Sequence, residues 1–341
     1  MRPFLTGFFV VLLFFPVRKG DGNGLPGGNA SPAESIIPVD NSPIPVRIDI
    51  VDGLAGNDRQ VKAGLLYDVS QNKVVWEKGL YASFPIASLT KMMTVLLVLE
   101  DIRDGKTCWD SEVRVSPQAA LAGGSKIWLK QGQVYSVEDM MKSALIASAN
   151  DACSLLAEYC NGSVQAFVDR MNERAISLGM FNTYFSNPTG LPAAKRGIDN
   201  FSSPSDLLIL AREVLKYPDA LRISQMDGEY IFADKLRIEL KNHNRLAIDY
   251  AEIDGLKTGY TRKAGFCIVA TASKEDERLI GIVLGGVSPQ QRNSFVAEMF
   301  DNYYDKILCV GKLCKQEPVK KIRKKNTSPK QSPASNRSAV K

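Results

Sequence analysis

The order of the elements predicted along this chain indicates an α/β (α+β) fold in which a helical subdomain is inserted into a sheet. Strand-like apolar runs occur at residues 63–77 and again at residues 256–284. Between them, apolar side chains recur at the three- and four-residue spacing of helices, from about residue 136 to residue 215. Strands, then helices, then strands again predict one sheet whose two parts are separated in the chain by the helical insertion.

The chain opens with a short charged start and an apolar run from Pro3 to Val17. A run of about 15 residues has the length of a signal-peptide core and is short for a membrane span. Arg18 and Lys19 follow directly, with no clean small-x-small cleavage site. We therefore predict that residues 1–19 are a signal peptide or an N-terminal anchor, with a buried helix as the alternative. Either prediction implies export to the periplasm or the cell envelope.

Residues 20–45 are rich in Gly, Pro, Asn and Ser and show no periodicity, so they predict a linker. The folded domain is expected over residues 46–309. It begins with two strands, at residues 63–69 and 73–77, that a polar turn joins as a hairpin. A helix to about Ile102 is expected next, because residues 92–99 are an apolar run of helical character.

The remaining elements follow from capping and periodicity. Residues 136–139 have the form of a capping box, which opens a helix through about Ala147. Helical spacing continues at residues 153–159, 164–178 and 204–215. Strands are expected at Leu256 and at residues 266–272 and 279–284, followed by a closing helix over residues 295–307.

Residues 315–341 contain nine Lys or Arg, one Glu and few apolar side chains, so they predict a disordered basic tail. The tail accounts for the formal net charge of +6, because residues 1–314 carry 34 basic and 36 acidic groups. A near-neutral body argues against nucleic-acid binding. The tail itself could contact anionic lipid or wall polymer.

His243 is the only histidine in the chain. A Ser-His-Asp triad built elsewhere is therefore excluded, as is a metal site that needs two histidines, and no cofactor is expected. A catalytic serine would have to take its base from the lysines. Among the six cysteines, Cys309 and Cys314 could pair in an oxidising compartment.

Ser88 and Lys91 are the first candidate catalytic residues. They are three residues apart at the start of the predicted helix, where positions i and i+3 are neighbours on one face. A serine hydroxyl becomes an effective nucleophile when a neighbouring base takes its proton, and an amine one turn away can be that base. Taken alone, the pair also fits a helix N-cap followed by a solvated lysine.

Two further segments add polar groups to this pair. Ser148-Ala149-Asn150 falls between two predicted helices, where side chains can project from a loop, and Lys257-Thr258-Gly259 lies on or beside a predicted strand. A cap or a turn explains either segment alone. The three segments in this order, in an exported chain, indicate one chemical site.

Together the segments resemble the serine penicillin-recognising enzymes, and more closely the low-molecular-weight D-alanyl-D-alanine carboxypeptidases. The resemblance covers roughly residues 46–307 and implies a DD-peptidase/β-lactamase-like fold, with helices flanking an antiparallel sheet. Its four stretches are Phe84-Pro85-Ile86-Ala87-Ser88-Leu89-Thr90-Lys91, Ser148-Ala149-Asn150-Asp151-Ala152, Asn187-Pro188-Thr189-Gly190-Leu191 and Asp254-Gly255-Leu256-Lys257-Thr258-Gly259-Tyr260-Thr261.

The resemblance implies an enzyme that removes the terminal D-alanine from peptidoglycan stem peptides and that β-lactams inhibit covalently. Ser88 would attack the carbonyl between two D-alanines and form an acyl-enzyme. Lys91 would be the base, made neutral by burial and by a second cation, Lys257. Ser148 would relay the proton to the leaving amine, and Asn150 would hold Lys91 and the peptide amide.

The resemblance also implies how the substrate is bound. The backbone N–H groups of Ser88 and Tyr260 would form the oxyanion hole, and the small Gly259 would let the strand edge come close. The terminal carboxylate of the substrate would contact three side chains, those of Lys257, Thr258 and Arg292.

The chain departs from the family pattern in three places. Asn200 stands where many relatives have His or Gln before a Tyr-Ser-Thr stretch, and Ala149 stands where Gly is more usual. Neither change removes a catalytic group. The third departure follows Cys314, where many members continue into a β-rich domain and an amphipathic membrane helix. We therefore do not expect membrane attachment by that route.

Three other functions fit parts of the pattern. A D,D-endopeptidase of the same fold would use the same residues, and such relatives often lack the second domain. A β-lactamase fits less well, because Ala149 replaces the usual Asp and no Glu-x-x-x-Asn loop is evident. A non-catalytic wall-binding protein should have lost at least one of four residues that are all present here, Ser88, Lys91, Ser148 and Lys257.

Overall fold

The computed structural model describes residues 51, 53, 58–193, 197–233, 236–275 and 277–311, with side chains as far as Ile307. The segments predicted over residues 1–45 and 315–341, and the side chains of Cys309 and Cys314, lie outside this description. Within it, no helix is both long and apolar enough to span a membrane.

The described residues form a five-stranded sheet and three two-stranded ribbons. Their strands are β1 (Ala63–Asp68), β2 (Lys73–Lys78), β3 (Phe84–Pro85), β4 (Glu112–Arg114), β5 (Val134–Ser136), β6 (Phe201–Ser202), β7 (Gly228–Ala233), β8 (Leu236–Lys241), β9 (Ile253–Thr261), β10 (Gly265–Lys274) and β11 (Glu277–Gly286). The large sheet has the order β2-β1-β11-β10-β9, and all its neighbouring strands are antiparallel. Leu65 of β1 lies opposite Ile282 of β11, so the two parts of the sheet join across the helical insertion, as predicted.

The helices flank this sheet and supply the insertion. They are α1 (Lys91–Arg103), α2 (Pro117–Ala120), α3 (Val137–Leu145), α4 (Asn150–Asn161), α5 (Val164–Ser177), α6 (Pro204–Leu215), α7 (Pro218–Ser224), α8 (Arg245–Asp249) and α9 (Pro289–Gly311). Every residue of α1 from Lys91 to Asp101 is buried, which is the burial expected of a helix enclosed on all sides by the core. The other face of the sheet is covered by α9, where Phe295 packs edge-on against Trp76 of β2.

Most predicted elements are found within a few residues of their expected limits. The capping box at Ser136 and Asp139 is formed in both directions, which fixes the start of α3. That helix ends at Leu145 instead of Ala147, and Ser148 adopts a left-handed backbone with φ of 53°. Helix α9 starts at Pro289, six residues before the predicted Phe295. The sequence pattern missed this start because the first turn is polar and lacks apolar spacing. The β7–β8 hairpin and the short helices α7 and α8 were not predicted.

Candidate active site

Ser88 and Lys91 lie at the junction between a short 3₁₀ turn and α1. The turn spans Ala87–Thr90, and Lys91 is the first residue of α1. The Lys91 Nζ donates to the Ser88 Oγ over 2.9 Å, so the predicted neighbours are in direct contact. Ala87, just before the serine, has a left-handed backbone with φ of 48°, a conformation that costs energy for a residue other than glycine.

The side chain of Lys91 is completely buried, and its amine has three oxygen partners. Besides Ser88, it donates to the Asn150 Oδ1 and to the carbonyl of Thr189, each 2.7 Å away. Burial disfavours the charged amine and lowers its pKa to about 8, although the nearby Cys153 and Asp151 oppose this shift. The neutral amine, which can accept a proton, is therefore a minor but substantial form of Lys91 near physiological pH and becomes the main form above about pH 8.

Ser148 and Asn150 lie at the junction between α3 and α4, and Asn150 contacts Lys91. Asn150 is the first residue of α4, and its Nδ2 donates to the carbonyl of Gly123 at 2.7 Å. This second bond orients the amide so that its oxygen faces Lys91. The Ser148 side chain is also buried, and its Oγ accepts a hydrogen bond from Lys257 at 2.9 Å.

Lys257 is a second buried amine in the same site. It lies on β9, and its Nζ also donates to the carbonyl of Thr258 at 2.9 Å. Burial lowers its pKa well below the usual value, and the charge of Lys91 lowers it further. The site therefore contains two serine hydroxyls, each bonded to a lysine whose pKa is lowered.

Strand β9 is one of the two edge strands of the described sheet, and it lies directly against the turn that carries Ser88. A Cβ added at Gly259 would lie 2.9 Å from both the backbone nitrogen of Ser88 and the carbonyl oxygen of Ile86. Only glycine permits this approach. The next residue, Tyr260, is exposed and stacks on Phe266 with ring centroids 4.3 Å apart.

Arg292 lies in the first turn of α9 with 5% of its surface exposed. Its Nη1 donates to the carbonyl of Cys267 at 3.1 Å, and its Nε and Nη2 donate to the Asn293 side chain. Burial lowers its pKa to about 10. The charge of Arg292 contributes to the lowered pKa of Lys257, so Arg292 lies near Lys257, as predicted. Its guanidinium, however, is already hydrogen-bonded to Cys267 and Asn293.

Several residues behind the site were not assigned roles from the sequence. The Thr189 carbonyl binds Lys91, and the neighbouring Pro188 carbonyl accepts from Thr94 in α1 at 2.7 Å. Asp151 is fully buried and accepts from the backbone of Ile127 and Leu129. The Asn-Pro-Thr-Gly-Leu stretch was a usable signal, but a backbone carbonyl has no sequence signature.

His243 lies near the two lysines, a position that the sequence analysis did not predict. Its backbone N–H donates to the carbonyl of Ile146 at 3.0 Å, on the loop that leads to Ser148. Partial burial, followed by the charges of Lys257 and Lys91, lowers its pKa. Among the described residues, no group of three or more His, Cys, Asp or Glu side chains could hold a metal ion.

This arrangement is suited to acyl transfer. An amine with a lowered pKa contacts the hydroxyl of Ser88, and a second hydroxyl at Ser148 is bonded to another amine. Beside the serine lies β9, which has a neighbouring strand on one side only among the described residues. Such a site can activate a serine, protonate a leaving group and bind an extended peptide.

Comparison with known proteins identifies similar chains. The family model Peptidase_S11, described as D-alanyl-D-alanine carboxypeptidase, matches residues 54–288. The chain is 39% identical to D-alanyl-D-alanine carboxypeptidase DacF of Bacillus subtilis over 71% of this chain and 61% of that protein. It is 30% identical to a D-alanyl-D-alanine endopeptidase of Haemophilus influenzae, over 70% of this chain and 80% of that protein. The chain spans 58–64% of the length of three curated carboxypeptidase relatives.

A solved structure supports the same fold. Penicillin-Binding Protein D2 from Listeria monocytogenes, in its ampicillin-bound form, superposes with a TM-score of 0.63 at 29% identity. The match covers 71% of this chain and 96% of that one. The predicted DD-peptidase-like fold is therefore confirmed.

Proposed function

Because the chain belongs to the D-alanyl-D-alanine carboxypeptidase family, we propose that it is a serine-type D-Ala-D-Ala carboxypeptidase acting on peptidoglycan stem peptides. The observation that carries this proposal is the contact between the completely buried Lys91 amine and the Ser88 hydroxyl, 2.9 Å apart. With a pKa near 8, this amine can serve as the base that the serine needs.

Acylation begins when the Ser88 Oγ attacks the carbonyl carbon between the two D-alanines while its proton passes to the neutral Lys91. Negative charge then develops on the carbonyl oxygen, which the backbone N–H groups of Ser88 and Tyr260 would stabilise. The close approach of β9 at Gly259 supports this pairing of donors.

The tetrahedral intermediate collapses when the bond from the carbonyl carbon to the nitrogen of the terminal D-alanine breaks. Ser148 gives its proton to that nitrogen and regains one from the two lysine amines, Lys91 and Lys257. The net result is that one proton moves from Ser88 to the amine of the departing D-alanine. Asn150 holds Lys91 during this transfer and supplies an amide to the substrate backbone. Water then hydrolyses the ester and restores Ser88.

The free carboxylate of the substrate would be recognised by the groups at the end of β9. Lys257 supplies a positive charge when protonated, Thr258 a hydroxyl, and Arg292 a second cation nearby. The substrate itself would lie extended along the outer edge of β9, which pairs with no strand other than β10 among the described residues and can bind the substrate as an added strand.

Reaction with β-lactams tests the proposal. The full chain should become labelled by a fluorescent penicillin, and Ser88→Ala should abolish the label. Ser83→Ala is a matched control, because its exposed hydroxyl only donates to the Asn182 carbonyl, and it should be labelled normally. Unchanged labelling of Ser88→Ala, or rapid turnover of the bound penicillin, would overturn the proposal.

A D,D-endopeptidase activity is the second candidate, and the endopeptidase relative favours it because this chain covers 80% of that protein. It would use the same residues on a cross-linked dimer. The rates of D-alanine release from a stem pentapeptide and of dimer cleavage, measured on one preparation, distinguish the two activities.

The proposal extends to the location of the enzyme and to its domains. Residues 1–19 would direct the chain out of the cytoplasm as a signal peptide or hold it as an anchor, and residues 20–45 would link them to the catalytic domain at 46–309. Peptidoglycan, the proposed substrate, lies outside the cytoplasmic membrane, which supports an envelope location. The basic residues of 315–341 would allow contact with anionic lipid or wall polymer.

A further inference from the structure

Asn200 is a buried amide that ties the segment behind the site to the turn that carries Ser88. Its side chain is 2% exposed. The Nδ2 donates to the Thr90 Oγ1 at 2.9 Å and to the Asn187 carbonyl at 2.8 Å. The Oδ1 accepts from both the backbone nitrogen and the hydroxyl of Ser186, each at 2.8 Å. Both ends of the amide are needed, because neither an apolar nor a carboxylate side chain offers this set.

Asn187, held by Asn200, in turn shapes the next four residues. Its Oδ1 accepts from the backbone nitrogens of Thr189 at 3.1 Å and Gly190 at 2.7 Å, and its Nδ2 donates to the Leu191 carbonyl at 3.0 Å. This tight turn points the Thr189 carbonyl at the Lys91 amine, 2.7 Å away. Asn200 therefore reaches Lys91 through one continuous series of hydrogen bonds.

The Thr189 carbonyl decides which way the neutral amine faces. A neutral amine has two N–H donors and one lone pair. The Thr189 carbonyl cannot donate, and the Asn150 Oδ1 cannot either, so each takes one N–H of Lys91. The protonated amine donates its third N–H to the Ser88 oxygen. In the neutral amine the lone pair takes the place of that N–H and faces the Ser88 hydroxyl, so the amine can accept the hydroxyl proton.

We propose that Asn200 is a positioning residue, which holds the Thr189 carbonyl in place and so aims the lone pair of Lys91 at Ser88. This inference rests on the proposed serine acylation and adds a residue to its machinery. The described hydrogen bonds of the Asn200 side chain go to neither Ser88 nor Lys91, and Asn200 stands where the sequence departs from the family pattern.

The experiment measures acylation of the full chain by a chromogenic penicillin from pH 5.5 to 10. In Asn200→Ala the rate at the high-pH plateau should fall by about tenfold to a hundredfold, the loss typical of a misplaced catalytic group. The acid limb of the profile, where the rate falls as Lys91 becomes protonated, should move to lower pH. The Thr189 carbonyl stabilises the ammonium, so its displacement lowers the pKa of Lys91. The other titratable groups that act on Lys91 are unchanged in this variant, namely Asp151, Cys153, Lys257 and His243.

Asn172→Ala is the matched control. The Asn172 amide donates to the carbonyl of Phe185 and accepts from its backbone nitrogen, each at 2.8 Å, so it holds the residue just before Ser186. It makes no bond to Asn187 or Thr90. It should lower the melting temperature as Asn200→Ala does, but leave the plateau and the acid limb unchanged.

A second pair of variants decides the matter if Asn200→Ala does not fold. Thr90→Val removes the acceptor for Asn200, so it should lower the plateau and move the acid limb to lower pH, as Asn200→Ala does. Thr90→Ser keeps a hydroxyl and should leave both at their wild-type values. Equal rates in Thr90→Val and Thr90→Ser, or a wild-type profile in folded Asn200→Ala, would overturn the inference. Failure of the wild-type chain to be acylated would instead overturn the proposed function.

Discussion

The amine of Lys257 lies 2.9 Å from the hydroxyl oxygen of Ser148, which repeats the contact between Lys91 and Ser88. Both lysines are buried, and charge on Lys91 disfavours charge on Lys257. Two such amines titrate as a coupled pair, with the protons lost in two steps that belong to the site as a whole. The protonation state of the site therefore depends on both lysines.

Acylation of Ser88 should rise with pH through about 8, where Lys91 loses its proton. The base is effective only when neutral, so activity is lost as the pH falls below this value. Lys91→Ala should abolish acylation with little change in the circular dichroism spectrum. Penicillin labelling over the pH range measures both effects, and near wild-type labelling of Lys91→Ala at neutral pH would contradict the Ser–Lys mechanism.

Lys257→Gln should leave the acid limb of the acylation profile in place. Burial lowers the pKa of Lys91, and burial together with the charge of Lys91 suppresses the charge of Lys257, so the substitution removes little positive charge where Lys91 titrates. Lys130→Gln, at an exposed lysine, is the control. A limb that moves to higher pH in Lys257→Gln and not in Lys130→Gln would contradict this and show that Lys257 is charged beside Lys91.

Gly190→Ala should destabilise the protein more than Gly132→Ala. Both glycines have a left-handed backbone, with φ of 81° and 85°, so each substitution carries a backbone cost of about 1–2 kcal/mol. A Cβ at Gly190 would also overlap the Ala87 carbonyl, whereas nothing lies within 4 Å of a Cβ at Gly132. Urea denaturation measures the difference, and equal losses would mean that the loop can withdraw from the Ser88 turn.

Arg292→Ala should weaken hydrolysis of substrates that have a free terminal carboxylate, by about 1.5–3 kcal/mol in kcat/KM if a charged hydrogen bond is lost. An otherwise identical substrate with an amidated terminus should react poorly with the wild type and be nearly indifferent to the change. Since the guanidinium already bonds Cys267 and Asn293, a purely structural role would reduce both reactions equally.

Deletion of residues 315–341 should leave hydrolysis of a small soluble peptide unchanged. If the basic tail contacts anionic surfaces, deletion should reduce sedimentation of the chain without residues 1–19 with anionic vesicles or isolated wall at low salt. The same binding should fade near 1 M salt, where the Debye length is about 3 Å. Salt-independent binding that survives the deletion would point to attachment elsewhere.

The sequence by itself determined the local elements and the identity of the reactive groups. The capping box at Ser136 and the apolar run that begins at Met92 depend on neighbours in the chain, so their patterns predicted α3 and α1. The short spacing of Ser88 and Lys91 is likewise local, and the structure has them in contact. The other two motifs could be found as patterns, but their assembly around Ser88 rested on family resemblance.

Only the tertiary structure decided how these segments meet. Lys91 contacts Asn150 and Thr189, which are 59 and 98 residues away, and Lys257 contacts Ser148 across 109 residues. The decisive partner at Thr189 is a backbone carbonyl, which every residue possesses, so no side-chain pattern could distinguish it. Burial of the two lysines is also a product of packing, because the surrounding core excludes water and so lowers the pKa values on which the proposed chemistry depends.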